Sequence, residues 1–279
     1  MPNSVHQKVL SEGSGNIPHR AKEHVEEKYP PSSSPDWSNL SVLHRNTLDP
    51  RATFSLYENE RDALSNDMSK SNTRSLSGTW KFHLTPYPLE PAEEFYSEKF
   101  DTSSWDDIEV PGMWQLQGHG KGPQYTNVNF PWPVNPPHIP FDDNETGYYV
   151  RNFDVPKEWN EKGQHIRLRF EGVDSGFHVW INGKEVGYSQ GARNPSEWDV
   201  TKYVKEGENK LAVRVYQRCD GTYLEDQVYF LQRRESCEEN GLMNGIGSMV
   251  VEWHLSRCYS FHISQSPRQR LQDRHCPEE

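Results

Sequence analysis

"QHIRLRFEGVDSGFHVWINGKEVGYSQ", residues 164–190, carries two β signals in one run. In its first part Ile166, Leu168 and Phe170 alternate with Arg167 and Arg169. That is a period of two, with an apolar face for a core and a charged face for solvent. In its second part "GFHVWI" and "KEVGYSQ" flank Asn182-Gly183. Asn-Gly is the favoured pair for a two-residue type I′ turn, because both central residues need positive φ. The run therefore predicts a strand followed by a tight hairpin.

The same alternation recurs on both sides. "GTWKFHLTP" places Trp80, Phe82 and Leu84 on one face. "GYYVRNFDVP", residues 147–156, reads as another strand, and "ENKLAVRVYQ" points Leu211, Val213 and Val215 inward. Short strands with Gly, Pro and Asn turns, and no strong amphipathic helix, predict an all-β sandwich.

The 279 residues suffice for one large domain or two ordinary ones. Hydrophobic content is 33% and mean hydropathy −0.97, low for a globular chain, so part of it should lie outside any core. Residues 1–35 are polar, end in "YPPSSSP" and read as a disordered arm. Residues 36–76 read as an ordered extended arm, with "YENERDAL" as a possible helical turn. Residues 77–230 hold the sandwich. From 231 to 279 no period is sustained, and three of the four cysteines and a late basic run fall there. This is read as an atypical, disordered tail. Within it "GSMVVEWHL", residues 247–255, is a candidate substitute strand, although no hairpin signal flanks it.

A formal charge of −11 argues against nucleic-acid partners, which need clustered Lys and Arg. No apolar run approaches the ~20 residues of a membrane span. The opening "MPNSVHQKVLSEGSGN" has no apolar signal region, so a reducing, cytoplasmic setting is expected. Cys219, Cys237, Cys258 and Cys276 form no CxxC pair, which disfavours zinc. Asn39 and Asn144 begin N-x-S/T sequons, read here as chance matches.

One loop stands apart. "GPQYTNVNFPWPVNPPHIP", residues 122–140, is too rich in proline for a helix or a central strand, yet it carries Tyr125, Phe130 and Trp132. Stiff aromatic loops pack over a neighbouring domain or line a ligand pocket.

"VPGMWQLQGHG", "PQYTNVNFPWPVNPPHIP", "GYYVRNFDVP", "FEGVDSGFHVWINGKEVGYSQGARNPSEWDVT" and "DGTYLEDQ" occur in this order. Together they resemble the N-terminal sugar-binding domain of glycoside hydrolase family 2 β-galactosidases, the long lactase-type enzymes, over roughly residues 36–227. The resemblance implies a galactose-binding-like jelly roll that lends loops to an active site on a separate (β/α)₈ barrel. It implies that Asn127, in "YTNVNFP", touches galactose. It also implies that Asp226, in "LEDQ", contacts the sugar and a sodium ion.

The residue types suit those tasks. An amide offers both donor and acceptor to sugar hydroxyls. A carboxylate accepts from hydroxyls and ligates a hard cation. On the residues alone, Asn127 also fits an Asx turn and Asp226 a solvated acidic pair with Glu225. Adjacent carboxylates on a strand face opposite ways and make a poor acid/base pair.

The family's two catalytic glutamates lie on the barrel, so no catalytic residue is expected in this chain, and a galactoside should bind it weakly. No cofactor is expected for the chain alone; the resemblance implies Mg2+ and Na+ in the full enzyme. The family also implies a closing "W-x-x-S-G-I-x-R-D-V" segment after "LEDQ", but from Val228 the chain reads "VYFLQRRESCEENG". A truncated gene model is the expectation that follows, with Phe130 and Trp132 left wet and the sandwich unclosed. The second reading, from another class, is a non-catalytic carbohydrate-binding or complementing subunit that docks on a barrel-bearing chain.

Overall fold

The computed structural model describes residues 35–88, 94–124, 130–132, 135–140, 142–160, 164–192, 194–225, 257–258 and 261–267. The arm holds β1 (His44–Arg45), helix α1 (Glu60–Ser65) and β2 (Thr73–Ser75). The sandwich proper holds β3 (Gly78–Thr85), β4 (Asp106–Val110), β5 (Gly112–Met113), β6 (Thr146–Val155) and β7 (Gln164–Phe170). It continues through β8 (Gly176–Ile181), β9 (Lys184–Gln190), β10 (Ser196–Asp199), β11 (Gly207–Tyr216) and a short helix α2 (Thr222–Glu225). Two strands follow in the tail, β12 (Arg257–Cys258) and β13 (Phe261–Pro267).

These strands form a jelly-roll β-sandwich. Its larger sheet has the order β1-β9-β8-β11-β6-β3-β4, and its smaller sheet β10-β7-β13-β2; β12 and β5 make a separate two-stranded ribbon. All the pairings are antiparallel.

The apolar alternation read from the sequence forms the layer between the sheets. Ile166, Leu168 and Phe170 of β7 meet Phe177 and Val179 of β8, Leu211, Val213 and Val215 of β11, and Trp80 and Phe82 of β3, all buried. Trp198 of β10 stands edge-on to both Phe170 (5.6 Å) and Phe177 (5.7 Å), tying the two sheets together. The hairpin forms as its sequence requires: Asn182 and Gly183 take φ of 49° and 79°. The Asn182 side chain is then used three times, donating to the Tyr203 carbonyl (3.0 Å) and to Asn209 Oδ1 (2.8 Å) and accepting from the Lys210 amide (3.0 Å). Helix α1 starts where Asn59 accepts from the Asp62 amide and stops where Asn66 turns left-handed, φ 52°.

Three features differ from the reading of the sequence. First, the outer faces of the strands are not simply solvated. Residues 94–105 cover the larger sheet, where Phe95 packs against Tyr148 (4.9 Å) and Tyr96 stacks on Trp180 (5.3 Å). On the smaller sheet Arg169, expected to face water, is buried. It donates to Glu171 (2.7 Å) and to Thr53 of the arm (2.9 Å).

Second, the arm is fastened along its length. Beta-strand β1 adds to β9, and Arg51 reaches Glu197 of β10 with two bonds, 2.7 and 2.5 Å. Gly187 has no Cβ where one would collide with the Arg45 carbonyl and the Trp198 ring. Arm strand β2 also joins the smaller sheet, so that sheet begins before residue 77.

Third, residues 231–279 read as a disordered tail, yet β12 and β13 lie within them. Beta-strand β13 sits between β7 and β2, with Phe261 opposite Phe170 and Pro267 opposite Gln164. Its sequence, "FHISQSP", lacks the clean alternation that reveals a strand. The expected substitute, residues 247–255, lies outside the described residues, as do 1–34.

Candidate functional site

The end of β11 runs into "QRCDGTYLE", residues 217–225, and the local chemistry is dense. Asn144, fully buried just before β6, replaces a missing rung of the sheet. Its Nδ2 donates to the Arg218 carbonyl (3.0 Å) and its Oδ1 accepts from the Arg218 amide (2.9 Å). The Gln217 amide donates to the Glu145 carbonyl (2.9 Å), extending the same ladder. The amide of this sequon is thus consumed by the fold.

The Arg218 side chain is almost completely buried. Its guanidinium lies 4.0 Å from the centre of the Trp132 ring and donates to the Asp143 carbonyl and to Gln124 Oε1. Stacked over an aromatic face, such a cation gains attraction from the ring quadrupole. Trp132 Nε1 donates to the Tyr223 hydroxyl (3.2 Å), which in turn donates to the His138 carbonyl (2.8 Å). Phe130 closes the cluster, 4.8 Å from Trp132 and 5.2 Å from Tyr223. Phe130, Trp132 and His138 of the proline-rich loop therefore pack on Tyr223 of the chain's own helix α2. Trp132, expected to be wet, is 6% exposed, and Phe130 is partly buried. These two rings find their cover within this chain.

Helix α2 is anchored at its start: the Cys219 amide donates to Thr222 Oγ1 (3.0 Å) and the Thr222 amide to the Cys219 carbonyl (2.9 Å). Between them sits Asp220, 3% exposed, its backbone amide held by the Trp37 carbonyl (3.0 Å). Among the described residues no donor reaches either carboxylate oxygen of Asp220 in good hydrogen-bond geometry, although the Gln190 amide and the Gly221 backbone lie nearby. Burial pushes its pKa up, against the opposing pull of the nearby Gln190 amide and Gly221 backbone.

A second polar centre lies where the arm crosses the larger sheet. Tyr216 OH meets His178 Nδ1 (3.0 Å), His178 Nε2 meets Asp36 Oδ2 (3.2 Å), and Arg45 holds the Asp36 carboxylate with bonds of 2.5 and 2.6 Å. Burial raises the Asp36 pKa, but the His178 and Arg45 bonds outweigh it and bring it down to about 2. Burial pushes the His178 pKa down, against the pull of Asp36. A cavity of about 470 Å³ opens beside this chain of bonds, lined by Pro35, Asp36, Arg45, Glu185 and Arg214 among others.

Asn127 and Asp226, the two sugar-contacting candidates, both lie outside the described residues. Their described neighbours converge: Phe130 and Trp132, just beyond Asn127, pack on Tyr223, just before Asp226. The reading of the sequence missed Asn144, Arg218 and Asp220. A buried Asn in an N-x-T motif and an Arg that stacks on a Trp far along the chain leave no local periodicity. Asp220 had a faint signal, its place in the Cys-Asp-Gly turn that ends β11. Among the described residues no group of three or more His, Cys, Asp or Glu could hold a metal, and no helix is long and apolar enough to cross a membrane.

The family model for the glycosyl hydrolases family 2 sugar binding domain matches residues 73–251. A beta-galactosidase of Halalkalibacterium halodurans is 44% identical over 196 residues, covering 69% of this chain and 19% of that protein. One of Priestia megaterium is 41% identical over 207 residues, covering 72% and 20%. The chain thus spans about a fifth of the length of these relatives. Among solved structures, Bifidobacterium dentium beta-glucuronidase aligns at TM-score 0.47 and 18% identity, over 80% of this chain and 32% of that one. Over the sandwich and its aromatic loop, this chain belongs to the glycosyl hydrolases family 2 through its sugar binding domain.

Proposed function

We propose that this chain is the sugar-binding module of a β-galactosidase and supplies one wall of a galactoside site. The observation that carries the reading is the convergence of Phe130 and Trp132 with Tyr223, because the two motifs holding Asn127 and Asp226 leave from that cluster. Asn127 would offer its amide, and Asp226 its carboxylate, to adjacent sugar hydroxyls. Arg218, locked under Trp132, would keep the two segments in register while a sugar enters. The relatives in Halalkalibacterium halodurans and Priestia megaterium, both called beta-galactosidases, support the galactose class.

The glutamates that cleave the glycosidic bond would come from a barrel-bearing chain. Asp226 would give sodium one hard oxygen ligand, and that chain the others, along with the magnesium site. One wall leaves most galactose hydroxyls in water, so affinity for the isolated module should be no better than roughly millimolar. Saturation-transfer NMR with methyl β-D-galactoside tests this. Transfer should be present with the whole chain, weak against methyl β-D-glucoside, and lost in Asn127→Ala and Asp226→Ala. Equal transfer in the Asp226→Ala chain, or micromolar affinity, would overturn the reading. For the complementing role, β-galactoside hydrolysis should require addition of a barrel-bearing chain.

A further inference from the structure

The smaller sheet has its second-to-last strand supplied from far along the chain. Beta-strand β13 pairs on one side with β7 along its whole length and on the other with β2. Beta-strand β2, three residues long, has no other partner in that sheet among the described residues. Without β13, β7 would present an open row of N–H and C=O groups, backed by Ile166, Leu168 and Phe170, all 0% exposed. Such an edge recruits another strand.

We propose that the place between β2 and β7 is a strand-acceptor site, filled within one chain by Phe261–Pro267 and able to take the same strand from a second copy of the chain.

Two features of the strand favour exchange. Opposite the core positions Phe170, Leu168 and Ile166 stand Phe261, Ile263 and Gln265, so one of the three core-register positions is polar. The strand also ends on Pro267, which has no N–H for a ladder. A strand so weakly patterned is weakly held in register. The connection favours exchange too. Glu225 and Arg257 are separated by 31 residues, which extended would reach on the order of 100 Å. Only residues 259 and 260 separate β12 from β13, so both would leave as one arm. The exchanged pair makes the same backbone bonds as the closed chain. The two forms therefore differ by how the chain is joined, the condition under which swapping costs little.

Arg167 and Ser264 face each other across the β7–β13 ladder. Antiparallel partners lie about 4.5–5.5 Å apart at Cα, within disulfide reach. One whole chain would carry Arg167→Cys and a second, tagged chain Ser264→Cys, with Cys237, Cys258 and Cys276 replaced by Ser in both. Mixed under mild oxidant, they should give a disulfide-linked heterodimer that accumulates faster at higher protein concentration. The double variant in one chain should close internally. The pair His165→Cys and Ser266→Cys repeats the test at another rung, should Arg167→Cys impair folding. A cysteine at the exposed Leu64 in place of Arg167 should give no heterodimer. Internal closure without any heterodimer would overturn the proposal, as would failure of both cross-links or equal cross-linking through residue 64.

Discussion

The two sheets draw on the chain in different ways. The larger one takes six of its strands from residues 78–216, its central pair β6 and β11 aligned from Gly207 opposite Val155 to Tyr216 opposite Thr146. It is buried on both faces, by the smaller sheet inside and by residues 94–105 outside. The smaller sheet gathers β2 from the arm, β7 and β10 from the middle and β13 from the tail. Its inner face shares the same core, but its continuity depends on distant segments meeting. Burial holds both sheets, whereas only the larger one is also held by a ten-residue ladder, β6 with β11, and by the β8–β9 hairpin; the longest ladder of the smaller sheet needs β13 from the far end of the chain. Local opening should therefore begin in the smaller sheet.

The largest effect should come where the sheets are one body. Trp198→Ala removes a fully buried ring that touches Phe170 and Phe177, along with its bond to the Arg45 carbonyl (3.0 Å). A loss of about 3–5 kcal/mol is expected from urea unfolding, with the slope unchanged and both sheets losing protection together. An intermediate effect should separate them. Ile263→Pro removes a ladder N–H from β13 and should cost roughly 1–3 kcal/mol. Amide hydrogen exchange should then accelerate in β7 and β2 while β6 and β11 keep their protection. Equal acceleration in β11 would show that the two sheets open as a single unit.

The smallest effect concerns the arm over the larger sheet. His178 titrates below its ordinary 6.5 in the fold, so the unfolded chain takes up a proton first as pH falls. Stability should therefore decline as pH drops below about 6.5. Asp36 has the opposite relation to its partners. With its pKa near 2 against an ordinary 3.8, its contribution is complete above about pH 4 and is lost as pH falls toward 2. Between about pH 6.5 and 4 His178 should thus make melting temperature fall as pH falls, against the opposite contribution of Asp220, and His178→Gln should remove the His178 part of the slope. An unchanged slope in that variant would remove His178 from the account.

Much of this architecture is legible in the residues. The alternation in β3, β7 and β11 and the Asn182-Gly183 turn state their own structure, because each depends on near neighbours. The family motifs point to the loop and to the end of β11. What the residues hide is what depends on distant partners. His178 and Trp180 read as one more alternating pair until the arm and residues 94–105 cover them. Arg169 reads as a solvent-facing charge until Thr53 reaches it. "FHISQSP" becomes a strand because a place beside β7 exists for it, not because its own pattern demands one. Asn144 reads as a sequon, and only the Arg218 backbone makes it a rung.

The position of β13 also sets a timetable. On a ribosome β7 is made about ninety residues before the strand that covers its edge. At about 5–20 residues per second, that leaves an interval on the order of 5–20 s. During that interval the larger sheet can form from contiguous chain, while Ile166, Leu168 and Phe170 wait beside an open ladder. Whatever shields that edge in the cell acts in those seconds, before the finished protein exists.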